Sequence, residues 1–437
     1  MVKAVGIRRE DKNQWETRVP LTPDQVRTLV EKEGIAVEIQ PSPIRIFPDK
    51  AYSTAGATLS EDLENSHIVL GIKEMPLSFF KPGGVYIFFS HTMKGQPYNM
   101  PMLKKIMEAG STLIDYELVV DKSKRRLIFF GRYAGLAGMI DSLWALGKRL
   151  EVEGVTPNPF KGITQCLKFE NLDTGRTAVK QAGEQIAKTG LPAELIPLVV
   201  GFAGYGNVSK GAQEIFDLLP HEDVAPEDLA RFIAKGHYKA TTLVKVEYKE
   251  EHMAARKDGS PFDLQDYYAH PELYKPIFST NLSYLSVLVN GIYWEARYPR
   301  LATRQDLAAL FQKGSARLRV VGDISCDVDG AVQCTVRSTD PGSPTYVYDP
   351  LTGETRDGFE GRGVVVLAVD TLPCELPKES SIDFGNVLLK FVPALVRADF
   401  SVPTKDLALP DEIKNAIIVH NGQLTERFAH LARHLPK

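Results

Sequence analysis

The alternation of apolar and polar stretches along the chain predicts repeated strand–helix units. Leu198–Phe202 is a short apolar run rich in β-branched residues, which is typical of a strand buried on both faces. A glycine-containing turn at 203–209 follows at once. Beyond it, apolar residues recur at helical spacing and form one stripe: Val208, Ala212, Ile215, Phe216 and Leu219. The stretch therefore predicts a strand, a tight turn and an amphipathic helix in immediate succession.

This succession is the opening of a dinucleotide-binding unit. Gly204 would allow the tight turn, and Gly206 would let backbone N–H groups approach a pyrophosphate at the helix N-terminus. Ser209 stands where the fingerprint has its third glycine and is still small enough for close packing. The cofactor-binding residues expected here are Gly204, Gly206, Asn207, Val208 and Ser209. The alternative is an ordinary strand–helix turn without a ligand.

Three predicted strands in the first part of the chain end in ionisable residues. His67–Ile72 runs into Lys73 and Glu74, Val85–Phe89 into Ser90 and His91, and Thr112–Tyr116 into Glu117. Ligands of open parallel sheets lie at the carboxyl ends of the strands. If the three strands are parallel neighbours, Lys73, His91 and Glu117 converge on one edge, where nearby carboxylates would tune them for proton transfer. A solvated lysine and a structural histidine are the alternatives.

The other segments predict an α/β chain. Thr22 and Gln25 form a capping box at a helix start. The remaining expected strands are 2–7, 36–39, 125–130, a short one near 222–225, 286–293 and 318–324; the expected helices are 131–153, 384–397 and 424–434; and 338–363 is a loop or hairpin. Gly135 and Gly138 would permit close packing of the long helix.

The residue that would contact the cofactor ribose is not evident. The strand expected near Glu222–Ala225 should end in an acid for the 2′-hydroxyl, but no acid is well placed. Basic residues just beyond it could serve a 2′-phosphate: Arg231, Lys235, His237 and Lys239. A solvated basic helix face explains these residues equally well.

The composition of the chain argues against several classes of function. A chain of 437 residues is long enough for two domains, and 43% hydrophobic with 24% charged residues is typical of a soluble globular protein. A net charge of −3 argues against a nucleic-acid partner. No apolar run reaches the ~18 residues of a membrane span, and we expect no export signal. The four cysteines form no C-x-x-C pair, so we expect free thiols in a reducing compartment and no metal site.

Taken together, the segments resemble the lysine-ketoglutarate reductase branch of the saccharopine dehydrogenases, within the wider alanine dehydrogenase and transhydrogenase family. The resemblance covers nearly the whole chain and rests on motifs in a shared order. These motifs are 6–11 (GIRRED), 16–18 (ETR), 71–74 (GIKE), 89–92 (FSHT), 114–117 (IDYE), 135–140 (GLAGMI), 204–211 (GYGNVSKG) and 290–295 (NGIYWE).

The resemblance implies two Rossmann-like α/β domains with mostly parallel sheets flanked by helices and a cleft between them. Residues 1–134, completed by 378–437, would form the substrate domain, and 135–377 the dinucleotide domain. It implies an enzyme acting on CH–NH groups that joins the ε-amine of lysine to 2-oxoglutarate and reduces the imine with NADPH to saccharopine. A homo-oligomer is compatible with it, and we expect a cytoplasmic enzyme, or a mitochondrial matrix enzyme lacking its transit peptide.

The resemblance also implies roles for individual residues. Lys73 and His91 would be the acid–base pair, and Glu74 and Glu117 would tune them. Arg18 would bind a substrate carboxylate, since a guanidinium grips a carboxylate with two parallel hydrogen bonds. The weaker candidates for carboxylate binding are Arg8, Arg9 and Arg126, and Asp323 would lie beside the nicotinamide.

Two other functions stay open. The lysine-forming saccharopine dehydrogenase would run the same chemistry in reverse with NAD. A redox sensor that binds NADP without catalysis belongs to a different class, although the presence of Lys73, His91 and Arg18 speaks against it. In animals and plants the reductase is commonly fused to a saccharopine-oxidising enzyme, and we expect only the reductase half in this chain.

Overall fold

The computed structural model describes residues 4–314 and 316–436 and divides the chain into two compact units. One consists of residues 1–130 together with 377–437, and the other of 131–376. The sequence prediction placed these boundaries after residues 134 and 377. The first boundary differs because the long helix beginning at Gly131 belongs entirely to the second unit.

The strands and helices of the described residues are numbered here in chain order. The strands are β1 Ala4–Ile7, β2 Ala36–Ile39, β3 Thr58–Leu59, β4 Ser66–Leu70, β5 Val85–Phe88, β6 Thr112–Asp115, β7 Val199–Ala203, β8 His221–Asp223, β9 Leu243–Tyr248, β10 Ala254–Arg256, β11 Tyr274–Pro276, β12 Val287–Asn290, β13 Val320–Asp323, β14 Thr345–Tyr348, β15 Thr355–Asp357, β16 Val364–Leu367, β17 Ile417–His420 and β18 Gln423–Leu424. The helices are α1 Pro23–Glu33, α2 Asp49–Thr54, α3 Met100–Glu108, α4 Gly131–Val152, α5 Leu172–Thr189, α6 Asn207–Phe216, α7 Pro226–Lys235, α8 Glu250–Met253, α9 Leu264–Ala269, α10 Arg304–Gln312, α11 Pro377–Leu388, α12 Val392–Arg397 and α13 Asp411–Lys414.

The first unit is built on a sheet in the order β18-β17-β6-β5-β4-β1-β2-β3. The strands from β6 to β3 are parallel, whereas β17 runs antiparallel to β6 and β18 antiparallel to β17. β4, β5 and β6 are therefore parallel neighbours, and the condition for convergence of their polar ends is met. The last two strands come from the C-terminal segment, so that segment completes the first unit.

The second unit contains a sheet in the order β15-β14-β16-β13-β12-β7-β9-β8, parallel from β16 to β8. β7 lies near its centre and is buried on both faces. Val200 and Phe202 belong to the core on one face, and Val199 and Ala203 to the core on the other. The predicted strand, turn and helix at 198–219 are confirmed as β7, a glycine turn and α6. Both units are thus α/β structures of the Rossmann type.

Several local predictions are confirmed. The backbone N–H of Thr22 donates to Gln25 Oε1 at 2.8 Å, which closes the capping box of α1. The helix predicted at 131–153 is α4, and the region 338–363 contains the antiparallel hairpin of β14 and β15.

Other predictions are wrong. No strand spans Arg125–Phe130: the carboxylate of Asp121 accepts the N–H groups of Ser123 and Arg125, which makes a turn, and the pairing beyond it is limited to an isolated antiparallel bridge of Val120 with Arg126. The helix expected at 384–397 is divided into α11 and α12, because Pro393 in the first turn of α12 has no N–H to continue a preceding helix. The helix expected at 424–434 is a run of 3₁₀ turns, Glu426–His434.

Glycines allow α4 and α6 to touch through their backbones. A Cβ atom on Gly135 of α4 would lie 2.0 Å from the carbonyl oxygen of Val208, and one on Gly211 of α6 would lie 2.2 Å from that of Arg132. Real Cβ atoms do not approach a backbone oxygen this closely, so only glycine fits at either position. Because α6 starts at the glycine turn, this contact also fixes the position of the turn.

We therefore expect Gly135→Ala and Gly211→Ala to lower the free energy of unfolding by about 2 kcal/mol or more, because two backbones must separate to admit a methyl group. Urea unfolding measures the loss. Gly162→Ala is the matched control, since a Cβ there meets no atom within 4 Å. Equal stability of the three variants would contradict the proposed backbone contact.

Candidate active site

The carboxyl ends of β4, β5 and β6 place three polar segments side by side. Leu70 pairs with Ile87, and Ile87 with Ile114, so the three strands end in register. Pairing extends past the strands, since the N–H of Phe89 donates to the carbonyl of Ile72 at 3.0 Å. Lys73, His91 and Glu117 follow directly on these ends. The structure thus brings the three segments to one edge of the sheet.

His91 is held by a carboxylate from the neighbouring segment. Its Nδ1 lies 2.6 Å from Glu74 Oε1, while Glu74 Oε2 accepts from Lys12 Nζ at 3.0 Å. Burial alone would raise the pKa of Glu74, but the hydrogen bond and charge of His91, together with Lys12, lower this pKa to about 2. Glu74 is therefore ionised at neutral pH and faces the imidazole with a full negative charge.

The backbone of His91 adopts a conformation that non-glycine residues rarely use, with φ +50°. The ring lies nearly parallel to that of Phe89, with centroids 6.3 Å apart, and Asn99 Nδ2 donates to the His91 carbonyl at 3.2 Å. Unusual backbone conformations that the surroundings hold in place occur often at functional sites. The backbone conformation, the stacking and the ion pair together fix the direction of this imidazole.

A second buried carboxylate, Asp115, ties the β5 and β6 segments together. Its Oδ2 accepts the N–H of Ser90 at 3.0 Å and the hydroxyl of Ser90 at 2.5 Å, and its Oδ1 accepts the N–H of Glu117 at 2.8 Å. Burial raises the pKa of Asp115 to about 6, against the effect of these hydrogen bonds. Asp115 therefore holds the residue before His91 and the backbone of Glu117 in one arrangement.

The predicted substrate-binding arginines lie in different surroundings. Arg18 is buried, stacks 4.1 Å from the centroid of the Phe130 ring and donates through Nε and Nη2 to Glu16 at 2.8 and 2.5 Å. Arg8 is also buried and donates to Asp11. Arg126 has a side chain that is 51% exposed and donates to Glu117 Oε1 at 2.5 Å. Of these arginines, Arg126 is the most accessible to a ligand arriving from solvent.

Glu10 and Lys12 are site residues that the sequence analysis did not identify. The carboxylate of Glu10 is buried and accepts the N–H groups of Ile72 and Lys73 at 2.7 and 3.0 Å. Burial, with the nearby charge of Glu16, raises the pKa of Glu10 to about 7. Both residues belong to a polar segment after β1 without periodicity, so the available signals were the position of that segment at a strand end and, for Glu10, its place in the 6–11 motif.

The glycine turn of the second unit combines a left-handed glycine with open space at a helix N-terminus. Gly204 has φ +93°, and a Cβ on it would lie 2.9 Å from the Ile292 side chain. A Cβ on Gly206, the residue before Asn207 at the start of α6, would meet no atom within 4 Å. Ser209 is buried and accepts from Gln213 Nε2 at 3.0 Å. The open side of the turn lies at a helix N-terminus, where anions bind.

A cavity of about 450 Å³ adjoins this turn and is lined by aromatic side chains that the sequence analysis did not connect with it. Its tyrosines are Tyr205, Tyr267, Tyr268, Tyr293 and Tyr298. Glu250 also lines the cavity and accepts from the hydroxyl of Tyr268 at 2.7 Å. A lining of aromatic side chains with a few polar groups is typical of a small-molecule site.

The short strand expected near 222–225 is present as β8, but it is not the neighbour of β7. β8, at the expected place, is the edge strand, and β9 lies between β8 and β7. The residue that follows β9 at the level of the turn is Lys249, whose Nζ lies 5.9 Å from the centroid of the Tyr205 ring. This strand order was not visible because local patterns do not determine which strands become neighbours.

The basic residues proposed for a 2′-phosphate lie away from the turn. α7 leaves the carboxyl end of β8 and ends at Lys235, before the chain enters β9 at its amino end. His237 and Lys239 therefore lie near the opposite edge of the parallel sheet. Arg231 on α7 pairs with Asp228 at 2.6 Å.

Asp323, which was expected beside the nicotinamide, is buried, and its carboxylate accepts hydrogen bonds from protein groups. It accepts from Asn290 Nδ2 at 2.9 Å, from the N–H of Cys326 at 3.2 Å and from the hydroxyl of Thr335 at 2.5 Å. Burial raises the pKa of Asp323 to about 6. The contacts tie the ends of β12 and β13 to the loop that follows.

The metal-ligating side chains, the helices and the cysteines of the described residues bear on metal sites, membrane spans and disulfides. Among residues 4–314 and 316–436, no His, Cys, Asp or Glu side chains gather in a group of three or more that could hold a metal ion. Within the same ranges, no helix has the length and apolar character to cross a membrane. The four cysteines, all within the described residues, form no disulfide, and three of them are buried.

Comparison with known proteins identifies the family. The model of the alanine dehydrogenase/PNT N-terminal domain matches residues 6–137, and that of the alanine dehydrogenase/PNT C-terminal domain matches residues 286–427. Among solved structures, an L-alanine dehydrogenase superposes with a TM-score of 0.57 at 19% identity, covering 99% of this chain and 100% of that one. At this identity the likeness shows the fold.

Among relatives, an alpha-aminoadipic semialdehyde synthase of Arabidopsis thaliana is 40% identical over 98% of this chain and 41% of its own length. A mitochondrial one of Bos taurus is 35% identical over 99% of this chain and 48% of its own length. The chain thus spans less than half the length of these two proteins. A saccharopine dehydrogenase (NAD(+), L-lysine-forming) of Neurospora crassa is 28% identical, over 87% of this chain and 88% of that protein. With both domain models matched in order, the chain belongs to the alanine dehydrogenase/PNT family.

Proposed function

We propose that this chain is a lysine-ketoglutarate reductase, which joins the ε-amine of lysine to 2-oxoglutarate and reduces the resulting imine to saccharopine. The observation that carries the proposal is the ion pair of Glu74 and His91 beside Lys73 at the carboxyl edge of β4 and β5. Similarity to two alpha-aminoadipic semialdehyde synthases over nearly the whole chain supports the same reaction.

The proposed chemistry needs protons to move in both directions. The lysine ε-ammonium must lose a proton before it attacks the ketone, and the hydroxyl of the carbinolamine must gain one before water leaves. The bond from His91 Nδ1 to Glu74 leaves Nε2 to exchange a proton with the substrate, and the Glu74 charge stabilises the imidazolium that forms. In this proposal Lys73, next to Glu74 in the chain, supplies the second exchangeable proton.

The cofactor we propose is NADPH, bound at the glycine turn of the second unit, and it would supply the hydride that reduces the imine. The turn fits a pyrophosphate because the space beside Gly206 is open. Lys249, next to the turn, is a cation suited to a 2′-phosphate, and the acids around it are engaged: Glu247 by Gln213 and Glu250 by Tyr268. The relative named as NAD(+)-dependent and L-lysine-forming favours the alternative, NAD with the reverse direction.

The test is oxidation of NADPH by the purified chain with lysine and 2-oxoglutarate together. We expect turnover only when both substrates are present, slower turnover with NADH, and saccharopine as the product identified by mass spectrometry. Turnover with either substrate alone, or none with both, would refute the reductase. Preference for NADH would favour the lysine-forming alternative.

We expect Lys73→Met and His91→Gln each to lower kcat by about 10²–10⁴-fold, the usual contribution of an acid–base group. The double variant should lose less than the product of the single losses, because the two groups act together. NADPH affinity, measured by calorimetry, should be unchanged in all three. Lys50→Met, at an exposed position of α2, is the matched control. A single variant with normal kcat and a bell-shaped pH profile would remove that residue from catalysis and favour Glu117.

For the cofactor site, Gly206→Val should fold normally, because a Cβ at this position meets no protein atom within 4 Å, but should not bind NADPH, because the side chain occupies the space for the pyrophosphate. Calorimetry measures binding and circular dichroism verifies folding. Gly162→Val, at another open glycine, should bind as the parent does. Unchanged NADPH affinity in Gly206→Val would show that the cofactor binds elsewhere.

A further inference from the structure

Glu10 stands out among the carboxylates of the first unit because it binds the backbone that carries two proposed site residues. It lies in the segment after β1, and β1 is the neighbour of β4 in the sheet. One of its oxygens accepts the N–H of Ile72 at 2.7 Å, and the other accepts the N–H of Lys73 at 3.0 Å. One rigid group thus fixes two successive peptide planes.

The position of these peptide groups decides where the site side chains point. Past Leu70 the chain leaves β4, and the N–H of Gly71 is the last that donates to β5, through Ile87 at 3.0 Å. Beyond it, Glu10 supplies the acceptors for the next two N–H groups. Lys73 and Glu74 then follow on a backbone that the carboxylate orients, and Glu74 in turn holds His91.

Glu38 is a second buried carboxylate of the first unit, and its hydrogen bonds lie away from the proposed site residues. Glu38 on β2 accepts the N–H and Nδ2 of Asn65 at 3.0 and 2.8 Å and the hydroxyl of Ser66 at 2.7 Å. It therefore holds the chain where it enters β4, at the opposite edge from Lys73. Glu10 and Glu38 are similarly buried, and each binds the chain at one end of β4. Glu10 accepts two backbone N–H groups, whereas Glu38 accepts one backbone N–H and two side-chain groups.

We propose that Glu10 is a positioning residue of the reductase: it orients the segment after β4 so that Lys73 and the Glu74–His91 pair are aligned for proton transfer. This inference rests on the proposed function for its kinetic consequence, whereas the geometry it describes can be tested by itself. The amide of Glu10→Gln keeps the shape but turns an N–H₂ group toward one backbone N–H, so the two donors repel each other.

The experiment compares Glu10→Gln with Glu38→Gln in the full chain, at a temperature where circular dichroism shows both folded. Both variants should unfold at lower urea concentration than the parent. Only Glu10→Gln should lower kcat, by about 10- to 100-fold, because misplacement of reacting groups by about 1 Å has effects of this size. The KM for both substrates and the affinity for NADPH should stay within about twofold of the parent values, since neither depends on proton transfer.

An NMR measurement separates this inference from the reductase assignment. The imidazole resonances of His91, identified by their loss in His91→Gln, should shift in Glu10→Gln and stay in place in Glu38→Gln, whether or not the chain turns over lysine. If Glu10→Gln leaves both kcat and these resonances unchanged, or if Glu38→Gln changes them equally, the positioning role is refuted. If the parent has no reductase activity but the resonances respond selectively to Glu10→Gln, the reductase assignment fails and the positioning geometry stands.

Discussion

The parallel pairing of β4, β5 and β6 is the constraint on which the proposed active site depends. Lys73, His91 and Glu117 are far apart in the chain, and no local interaction would bring them together. Their segments lie at one edge of the sheet because each follows the carboxyl end of a strand, and parallel neighbours end at the same edge. Since the strands themselves are buried and apolar, their register is determined by the core.

In the second unit, the packing of two helices determines the position of the glycine turn. The glycine turn is suited to an anion only if α6 points its N-terminus at a fixed place. The backbone contact of α4 with α6, at Gly135 and Gly211, fixes that place together with the ion pair of Arg132 and Glu214 at 2.8 Å. Glycines in this part of the chain therefore serve two purposes. Gly206 leaves open space beside the turn for the proposed ligand, whereas Gly135 and Gly211 allow α4 and α6 to pack backbone against backbone.

Patterns of apolar and polar residues in the sequence correctly predicted individual strands, helices and strand ends. The β-branched run and the helical stripe identified β7 and α6, and the change from apolar to polar residues identified the ends of β4, β5 and β6. Strand order was not predictable in this way, so β9 was missed between β7 and β8. Glu10 and Lys12 were missed for the same reason, because their roles arise only from the placement of β1 beside β4. At 125–130 the apolar pattern was misleading, because the N–H of Arg125 donates to the Asp121 side chain in a turn and only an isolated bridge at Arg126 follows.

Three carboxyl groups at one edge of the sheet, those of Glu10, Asp115 and Glu74, differ in pKa because their surroundings differ. The pKa is about 7 for Glu10 and about 6 for Asp115, both buried, but about 2 for Glu74, which has a histidine and a lysine as partners. As the pH falls from neutral, protons therefore go first to the two groups that hold backbone N–H groups, and Glu74 stays charged. Of these three carboxyl groups, Glu74 is thus the last to be protonated, and the two that bind backbone N–H groups titrate before it. Acidification would loosen the position of the proposed catalytic groups before it removed the charge that stabilises an imidazolium.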